Sequence, residues 1–308
     1  MRGSPTGPTE AAVADFHGDQ AAGLRRLFGR EKLQVVTFAA GCNGVGRTLA
    51  VANVALSLAK LGKEVLVLDE NTGHDNVAAW FGAPASHDLL QVVNQERRLA
   101  DVLVEVAPGV HVLPAAQAVK KLGKLTLRQQ QALLDGLGEL ERPADVILVD
   151  AAIDHPLGFS PLSLAAQETV VMLSGVGSAI TEAYALIKKM SLGFARRNFR
   201  ILVSKVKGAQ DAQSIFDNMA QVAGQRLHAR LDYAGYIPLD EAIKRADALG
   251  QPVGTAFPEA SAARAFRLLA GELSQWPAGD QEGAGLEQFV QQLLHLSQRI
   301  SPSVMHLG

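Results

Sequence analysis

A glycine-rich turn between an apolar run and a helical pattern constrains the fold of this chain more than any other segment. Residues 40–48 read Ala-Gly-Cys-Asn-Gly-Val-Gly-Arg-Thr, residues 33–39 before them are apolar, and residues 48–61 have the pattern of a helix. A turn placed between a buried strand and a helix presents several backbone N–H groups and a helix N-terminus to an anion. The segment therefore predicts a strand–loop–helix unit with a phosphate-binding loop.

The side chains of this turn match a phosphate-binding loop only in part. Thr48 stands where a hydroxyl would reach Mg²⁺, but the position that normally carries the phosphate-binding lysine holds Arg47. Three glycines of the turn can adopt the positive φ that an anion-binding backbone requires. We therefore predict that the whole turn contacts the nucleotide phosphates, with the residues Gly41, Cys42, Asn43, Gly44, Val45, Gly46, Arg47 and Thr48.

Composition excludes several other classes of protein. A formal net charge of −2 over 308 residues argues against direct nucleic-acid binding through bulk electrostatics. Cys42 is the only cysteine, which excludes an internal disulfide and fits a reducing compartment. No apolar stretch approaches the roughly 20 residues of a membrane span, and the N-terminus lacks the apolar segment of a secretory signal. We expect a cytoplasmic protein.

Short apolar runs alternate with helical patterns along most of the chain. Because these runs are continuously apolar, they indicate strands that are covered on both faces. The predicted fold is α/β, a doubly wound, mostly parallel sheet with helices on both faces. The predicted divisions are a disordered N-terminus at 1–18, a short helix at 19–30, the α/β domain at 31–276, a linker at 277–285 and an amphipathic helix at 286–300.

Two aspartates end predicted strands and are candidates for a metal site. Asp69 closes the apolar run at 65–69, and Asp150 closes the run at 145–150. Open α/β sheets bind ligands at the carboxyl ends of their strands, where a carboxylate can hold Mg²⁺ beside a phosphate loop. We predict that Thr48, Asp69 and Asp150 surround one Mg²⁺. The alternative is that both aspartates are ordinary strand-end residues that bind loop amides.

Four segments give the chain a resemblance to a known family. The turn at 42–48 resembles the loop Lys-Gly-Gly-x-Gly-Lys-Thr of the MinD/ParA class of deviant P-loop ATPases. The segments DQAAGLR at 19–25, SAITEAYALIK at 178–188 and DYAGYIPLD at 232–240 resemble elements of the flagellar regulators FlhG and FleN. The similarity runs from about residue 19 to residue 273 and implies a MinD-like P-loop domain.

The resemblance implies a switch controlled by ATP and ADP that sets flagellar number and placement. In that family, the nucleotide-bound form is a homodimer, and the N-terminal element acts on the SRP-type GTPase FlhF. Some members restrain the transcription activator FleQ, and the C-terminal helix binds the inner membrane, which also implies a peripheral or polar location. By this resemblance the predicted partner-binding residues are Asp19, Gln20, Ala21, Leu24 and Arg25.

Three substitutions separate this chain from the family pattern. Cys42 replaces the lysine that reaches across the dimer, Arg47 replaces the P-loop lysine, and Asn71 replaces the aspartate that orients the attacking water. An amide cannot accept a proton, and arginine is larger and planar. We therefore predict nucleotide binding with weak or lost hydrolysis, with Asp69 and Asn71 at the catalytic positions. The alternative is that Arg47 and a repositioned carboxylate, Glu70 or Asp75, restore activity.

Two residues outside the turn are also assigned to the nucleotide. Ser204 occupies a position at which relatives often carry an asparagine near the adenine, and Pro238 belongs to the DYAGYIPLD segment. This departure at Ser204 leaves the selectivity for the base open.

Both ends of the chain allow a second interpretation. The helix at 19–28 has an apolar face that either binds a partner or folds back on its own domain. The C-terminal helix has an apolar stripe that either enters a membrane interface or packs on the domain. Arg299 is its only fixed positive charge, so attraction to anionic lipid would be weak and reversible. The predicted membrane residues are Leu286, Phe289, Val290, Leu293 and Ile300.

Two further functions compete with a binding switch. The first is a true ATPase, in which hydrolysis resets dimerisation and membrane release. The second is a MinD/ParA-like ATPase that positions another cargo or a cell-division component. The DQAAGLR segment argues against the second, because it resembles an element of the flagellar family.

Overall fold

The fold is organised by one sheet, seen in a computed structural model that describes residues 33–72, 76–140, 144–153, 155, 159–175, 177–227, 229–276 and 286–299. The predictions for residues 1–18, 19–30 and 277–285 lie outside the described residues. Within them, eight strands form the sheet in the order β3-β4-β2-β5-β1-β6-β7-β8. The strands are β1 Gln34–Ala40, β2 Val65–Asp69, β3 Val104–Ala107, β4 Val110–Pro114, β5 Val146–Asp150, β6 Glu168–Ser174, β7 Asn198–Val206 and β8 Arg230–Pro238.

The sheet is parallel except at one edge, which confirms the predicted fold class. All neighbouring strands run parallel apart from β3, which pairs antiparallel with β4. The sequence pattern does not indicate β3, because it has four residues and only partial burial. The central strands β1, β2 and β5 are buried at every position, as their continuous apolarity predicts.

Helices cover both faces of this sheet. The helices predicted at 48–61 and 286–300 are present at Arg47–Lys60 and Leu286–Arg299, with ends that differ by at most one residue. The short helices, of four or five residues, were not predicted because they are shorter than the window in which helical periodicity is visible. The α-helices are α1 Arg47–Lys60, α2 Leu89–Val93, α3 Leu99–Val102, α4 Ala116–Val119, α5 Leu127–Gly138, α6 Pro161–Ala165, α7 Gly177–Phe194, α8 Ala209–Leu227, α9 Glu241–Ala248, α10 Val253–Ala256, α11 Ser261–Leu273 and α12 Leu286–Arg299.

Helix α1 follows the glycine-rich turn and is buried over most of its surface. Its small residues Ala50, Ala52 and Ala55 are fully buried, so the helix lies close to the sheet. Helix α11 packs beside it and also contacts β8. The N-terminus of α1, which forms the end of the phosphate loop, is thus held by the packing of α1 on the sheet and on α11.

The C-terminal helix α12 packs on the domain. Phe289, Val290, Leu293 and Leu294 are buried in the same apolar cluster as the neighbouring face of the sheet, against α5, α6 and the short turn at 122–124. In this structure the apolar stripe therefore packs on the domain, which is the second of the two interpretations of this helix. Leu286 is half-buried beside the same cluster, and Ile300 lies outside the described residues.

No helix in the part of the chain that the structure describes has the length and apolar character needed to cross a membrane.

Candidate nucleotide-phosphate site

The turn at 41–48, called the phosphate loop below, has the backbone of an anion-binding loop. Gly44 and Gly46 have φ values of 78° and 88°, in the left-handed region that glycine adopts without strain. A Cβ at either glycine would meet no atom within 4 Å, so the backbone conformation and not crowding requires glycine there. Gly46 caps α1, and its carbonyl accepts from Ala50 N–H at 2.9 Å. The predicted positive φ of these two glycines is confirmed, and their contact with a phosphate stays a prediction.

Gly41 has a different role from the predicted one. It is not among the residues with positive φ, and a Cβ placed on it would lie 2.2 Å from the Glu182 carbonyl carbon and 2.6 Å from Ala183 N. Glycine is therefore needed here because the loop rests directly on the backbone of α7. The prediction of positive φ at Gly41 was wrong, since close packing and not backbone curvature requires a glycine at this position.

A cavity of about 730 Å³ opens over the loop. Trp80 and Ile153 form part of its wall, although the sequence pattern does not distinguish them from ordinary packing residues. Seven of the eight predicted loop residues line it; Gly41 does not. The full lining is Cys42, Asn43, Gly44, Val45, Gly46, Arg47, Thr48, Leu49, Asn71, Thr72, Trp80 and Ile153.

Arg47 turns inward from this cavity to the strand-end carboxylates. Its Nε donates to Asp150 Oδ1 at 2.5 Å, and its Nη2 donates to Asn71 Oδ1 at 2.6 Å. The residue is only 7% exposed, and its Nη1 is buried without a hydrogen-bond partner. Arg47 thus forms a buried ion pair with the predicted metal ligand Asp150, an arrangement that its place in the loop did not predict.

Asn71 connects the two predicted metal ligands. Its Nδ2 donates to Asp150 Oδ2 at 2.7 Å and to Asp69 Oδ1 at 3.0 Å, while Thr48 Oγ1 also donates to Asp150 Oδ2 at 2.7 Å. Asp69 receives further bonds from the backbone N–H groups of Asn71 and Val77. The structure therefore brings Thr48, Asp69 and Asp150 together as predicted, because Asp69 and Asp150 lie side by side in the pairing of β2 with β5.

Burial raises the pKa of all three strand-end acids, Asp69, Glu70 and Asp150, called the carboxylate cluster below. Loss of hydration raises the pKa of Asp69 to about 7, and the neighbouring charge of Asp150 adds to the rise. Burial also raises the pKa of Asp150, although the guanidinium of Arg47 opposes this rise. The pKa of each acid rises because burial removes the hydration that stabilises its charge, and one guanidinium offsets this rise only in part.

The residues present do not fit a divalent cation in this arrangement. Mg²⁺ needs oxygen ligands at about 2.0–2.1 Å in near-octahedral geometry. Both oxygens of Asp150 and both oxygens of Asp69 already accept hydrogen bonds, and Arg47 places a positive charge against Asp150. Among the described residues, no group of three or more His, Cys, Asp or Glu is arranged to hold a metal ion.

Glu70 lies away from the cavity, in the interior behind the loop. Its Oε1 accepts from the Ser160 hydroxyl, and its Oε2 accepts from Ala152 N at 3.0 Å. Burial raises its pKa to about 7. Because both of its oxygens bind the segment after β5 and the residue is not part of the cavity wall, this position does not favour the alternative in which Glu70 activates water. Asp75 lies outside the described residues.

The structure places the other two nucleotide candidates apart from the cavity wall. Ser204 is buried and donates to the carbonyl of Val45 at 2.7 Å, with the Leu173 carbonyl at 3.1 Å, so it supports the loop from beneath. Pro238 ends β8 and lines a second cavity of about 780 Å³ beside Lys207 and Arg245. Contact of either residue with a base stays a prediction, as does partner binding by residues 19–25.

Comparison with known proteins assigns this site to a family. The family model described as cellulose biosynthesis protein BcsQ matches residues 33–273. Antiactivator FleN from Pseudomonas aeruginosa is 31% identical over 273 residues, which cover 88% of this chain and 97% of FleN. The chain belongs to the FlhG/FleN group of the MinD/ParA class.

More distant matches include a second flagellar protein and a solved structure that shares the fold. The flagellum site-determining protein YlxH from Helicobacter pylori is 26% identical, covering 68% of this chain and 71% of YlxH. The MinD structure from Pyrococcus horikoshii, complexed with Mg-ADP, has a TM-score of 0.59 at 20% identity, covering 79% of this chain and 96% of that structure. The eight-stranded fold of this FlhG/FleN member is therefore that of MinD.

Proposed function

We propose that this chain is a FlhG/FleN-type regulator of flagellar number and placement that binds ATP or ADP and hydrolyses ATP slowly or not at all. The network of Arg47, Asp150 and Asn71 beside an intact phosphate loop is the observation that carries the proposal. Its regulatory role is supported by the similarity to an antiactivator, FleN, and to a flagellum site-determining protein, YlxH. The protein acts by binding partners in a nucleotide-dependent way.

Two features argue for weak hydrolysis. Phosphoryl transfer depends on positioning and on stabilisation of charge, and Cys42 supplies no positive charge at the position of the family's signature lysine. The Asn71 amide donates to two carboxylates and accepts from Arg47, so it cannot take a proton from water. Each tenfold loss of rate corresponds to about 1.4 kcal/mol of transition-state stabilisation, so these losses together remove several powers of ten.

The proposed partners follow from the resemblance, and two of the proposed binding segments lie at the ends of the chain. Residues 19–25 bind an FlhF-like SRP-type GTPase, the nucleotide-bound form is a homodimer, and a FleQ-like activator is a further partner. Weak, reversible membrane binding by α12 requires this helix to leave the domain. Burial of its four apolar residues stabilises the packed form by roughly 6–12 kcal/mol as an upper bound, so lipid contact must replace that burial.

Flagellar counts in cells test the regulatory role. We expect deletion of the gene to raise the number of flagella per cell seen by electron microscopy, and the full chain to restore the original number. An unchanged count in the deletion strain contradicts the proposal. GTP hydrolysis by a purified FlhF-like protein, measured with and without this chain, tests the partner. We expect Leu24→Asp to abolish the stimulation. Leu192→Asp, at an exposed position of α7, is the matched control and should stimulate as the wild type does.

A second candidate is a positioning role outside flagella. The matching family model is described by a cellulose biosynthesis protein, and the relatives include septum site-determining MinD proteins. Deletion that changes cellulose production or septum position, with a normal number of flagella, would favour this second function.

A further inference from the structure

The guanidinium of Arg47 binds Asp150, the strand-end carboxylate that the sequence assigns to a metal ion. It lies against Asp150 at 2.5 Å and is linked to Asn71, while Thr48, the predicted metal ligand of the loop, bonds the other oxygen of Asp150. A cation that holds Thr48 and Asp150 together would have to share Asp150 with this guanidinium. The site already contains one fixed positive charge where its carboxylates converge.

One nitrogen of the same guanidinium has no partner. Nη1 of Arg47 is buried and makes no hydrogen bond, although an unsatisfied buried donor on a charged group is costly. Arg47 also belongs to the wall of the cavity over the phosphate loop. Because Nη1 is closed off from solvent in this position, the side chain would shift slightly toward a bound nucleotide, and a phosphate oxygen would then give Nη1 its missing acceptor while Nε keeps its bond to Asp150.

Asn71 matches this arrangement in a way that an aspartate would not. Its Nδ2 lies 2.7 Å from one carboxylate oxygen of Asp150 and 3.0 Å from one of Asp69. A carboxylate oxygen at that point would face two others at hydrogen-bond distance, an arrangement that needs a shared cation or proton. The amide removes this repulsion, and its oxygen accepts from Arg47, so the two substitutions complete each other.

We propose that Arg47, held by Asp150 and Asn71, replaces the divalent cation of this site, so that the chain binds nucleoside di- and triphosphates without a metal. The guanidinium is always charged and presents its donors in a fixed plane, so one edge stays with Asp150 while another meets a phosphate oxygen. This inference rests on the proposed nucleotide site and names how that site neutralises phosphate charge.

The test measures the affinity of the full chain for ATP and for ADP by calorimetry, once with excess Mg²⁺ and once with EDTA. Fluorescence of Trp80, in the cavity wall, reports the same binding in a Trp276→Phe background. We expect the two dissociation constants to agree within about twofold. Nucleotide that binds only with Mg²⁺ overturns the metal replacement and leaves the proposed function standing, whereas absence of binding in both conditions overturns the nucleotide site itself.

A reverted variant and a control show whether Arg47 and Asn71 are what makes nucleotide binding independent of Mg²⁺. Arg47→Lys with Asn71→Asp returns the family residues at both positions and is expected to weaken binding in EDTA by about tenfold or more relative to Mg²⁺. Arg47→Lys alone serves if the double variant does not fold. Arg200→Lys, in a partly buried pair with Glu168 at 2.9 Å, is the matched control that keeps the wild-type behaviour. A reverted variant that still ignores Mg²⁺ contradicts the inference.

Discussion

The phosphate loop and the carboxylate cluster beneath it match the P-loop family pattern to different degrees. The loop keeps the backbone, with left-handed Gly44 and Gly46 and the N-terminus of α1. The carboxylate cluster keeps its aspartates, but Arg47 and Asn71 donate hydrogen bonds to them. Anion binding by backbone donors tolerates changes of side chain, whereas metal binding depends on each ligand and its charge.

The largest expected effect comes from removing the acid that pairs with Arg47. Asp150→Ala leaves a guanidinium that is 7% exposed without its counter-charge, so we expect a loss of about 3–5 kcal/mol in the free energy of unfolding. Urea denaturation measures this loss. The variant Arg47→Met with Asp150→Ala removes both charges and should recover most of the stability. If Asp150→Ala alone is as stable as the wild type, the buried pair does not hold the cluster together.

The carboxylate cluster should also give the stability an unusual dependence on pH. Burial raises the pKa of Glu70 from its ordinary 4.5 to about 7, so its contribution is complete below about pH 4.5 and is lost as pH rises through about 7. At about 1.36 kcal/mol per pKa unit, this loss is about 3 kcal/mol. Urea denaturation across this window measures it, and Glu70→Gln should reduce the slope. The same slope in the variant would assign the effect to other groups.

The position of the phosphate loop depends on the close contact of Gly41 with the backbone of α7. Gly41→Ala places a Cβ 2.2 Å from the Glu182 backbone, and we expect a loss of about 1–3 kcal/mol in the free energy of unfolding. Gly193→Ala, in α7 with no atom within 4 Å of the new Cβ, is the matched control and should be neutral or stabilising. Equal stability of the two variants would show that the loop does not rest on α7.

The smallest expected effect concerns the support of the loop from below. Ser204→Ala leaves the buried Val45 carbonyl without its donor, which should cost about 1 kcal/mol. Ser214→Ala removes a hydroxyl that bonds Gln210 on the exposed face of α8 and should leave stability unchanged. Differential unfolding in urea compares the two, and an equal effect would remove Ser204 from the support of the loop.

Much of this architecture follows from the sequence, because buried parallel strands and the glycine-rich turn have strong local patterns. The position of Asp69 beside Asp150 was also predictable, since both end neighbouring strands. The direction of the Arg47 side chain could not be predicted, because it depends on a bond to Asn71, 24 residues away in sequence, and on the burial of Asp150. The positive φ predicted for Gly41 was wrong for a similar reason. Glycine is required there by contact with the backbone of α7, which no local sequence pattern reveals.

The central claim, a nucleotide site without turnover, is tested most directly by phosphate release at saturating ATP. The wild-type chain is compared with a triple variant, Cys42→Lys with Arg47→Lys and Asn71→Asp, which returns the family residues at the three departures. We expect the wild type to release phosphate at or little above the rate of buffer alone and the triple variant to hydrolyse ATP clearly faster. A wild type that releases phosphate well above the buffer rate and as fast as the triple variant would contradict the account.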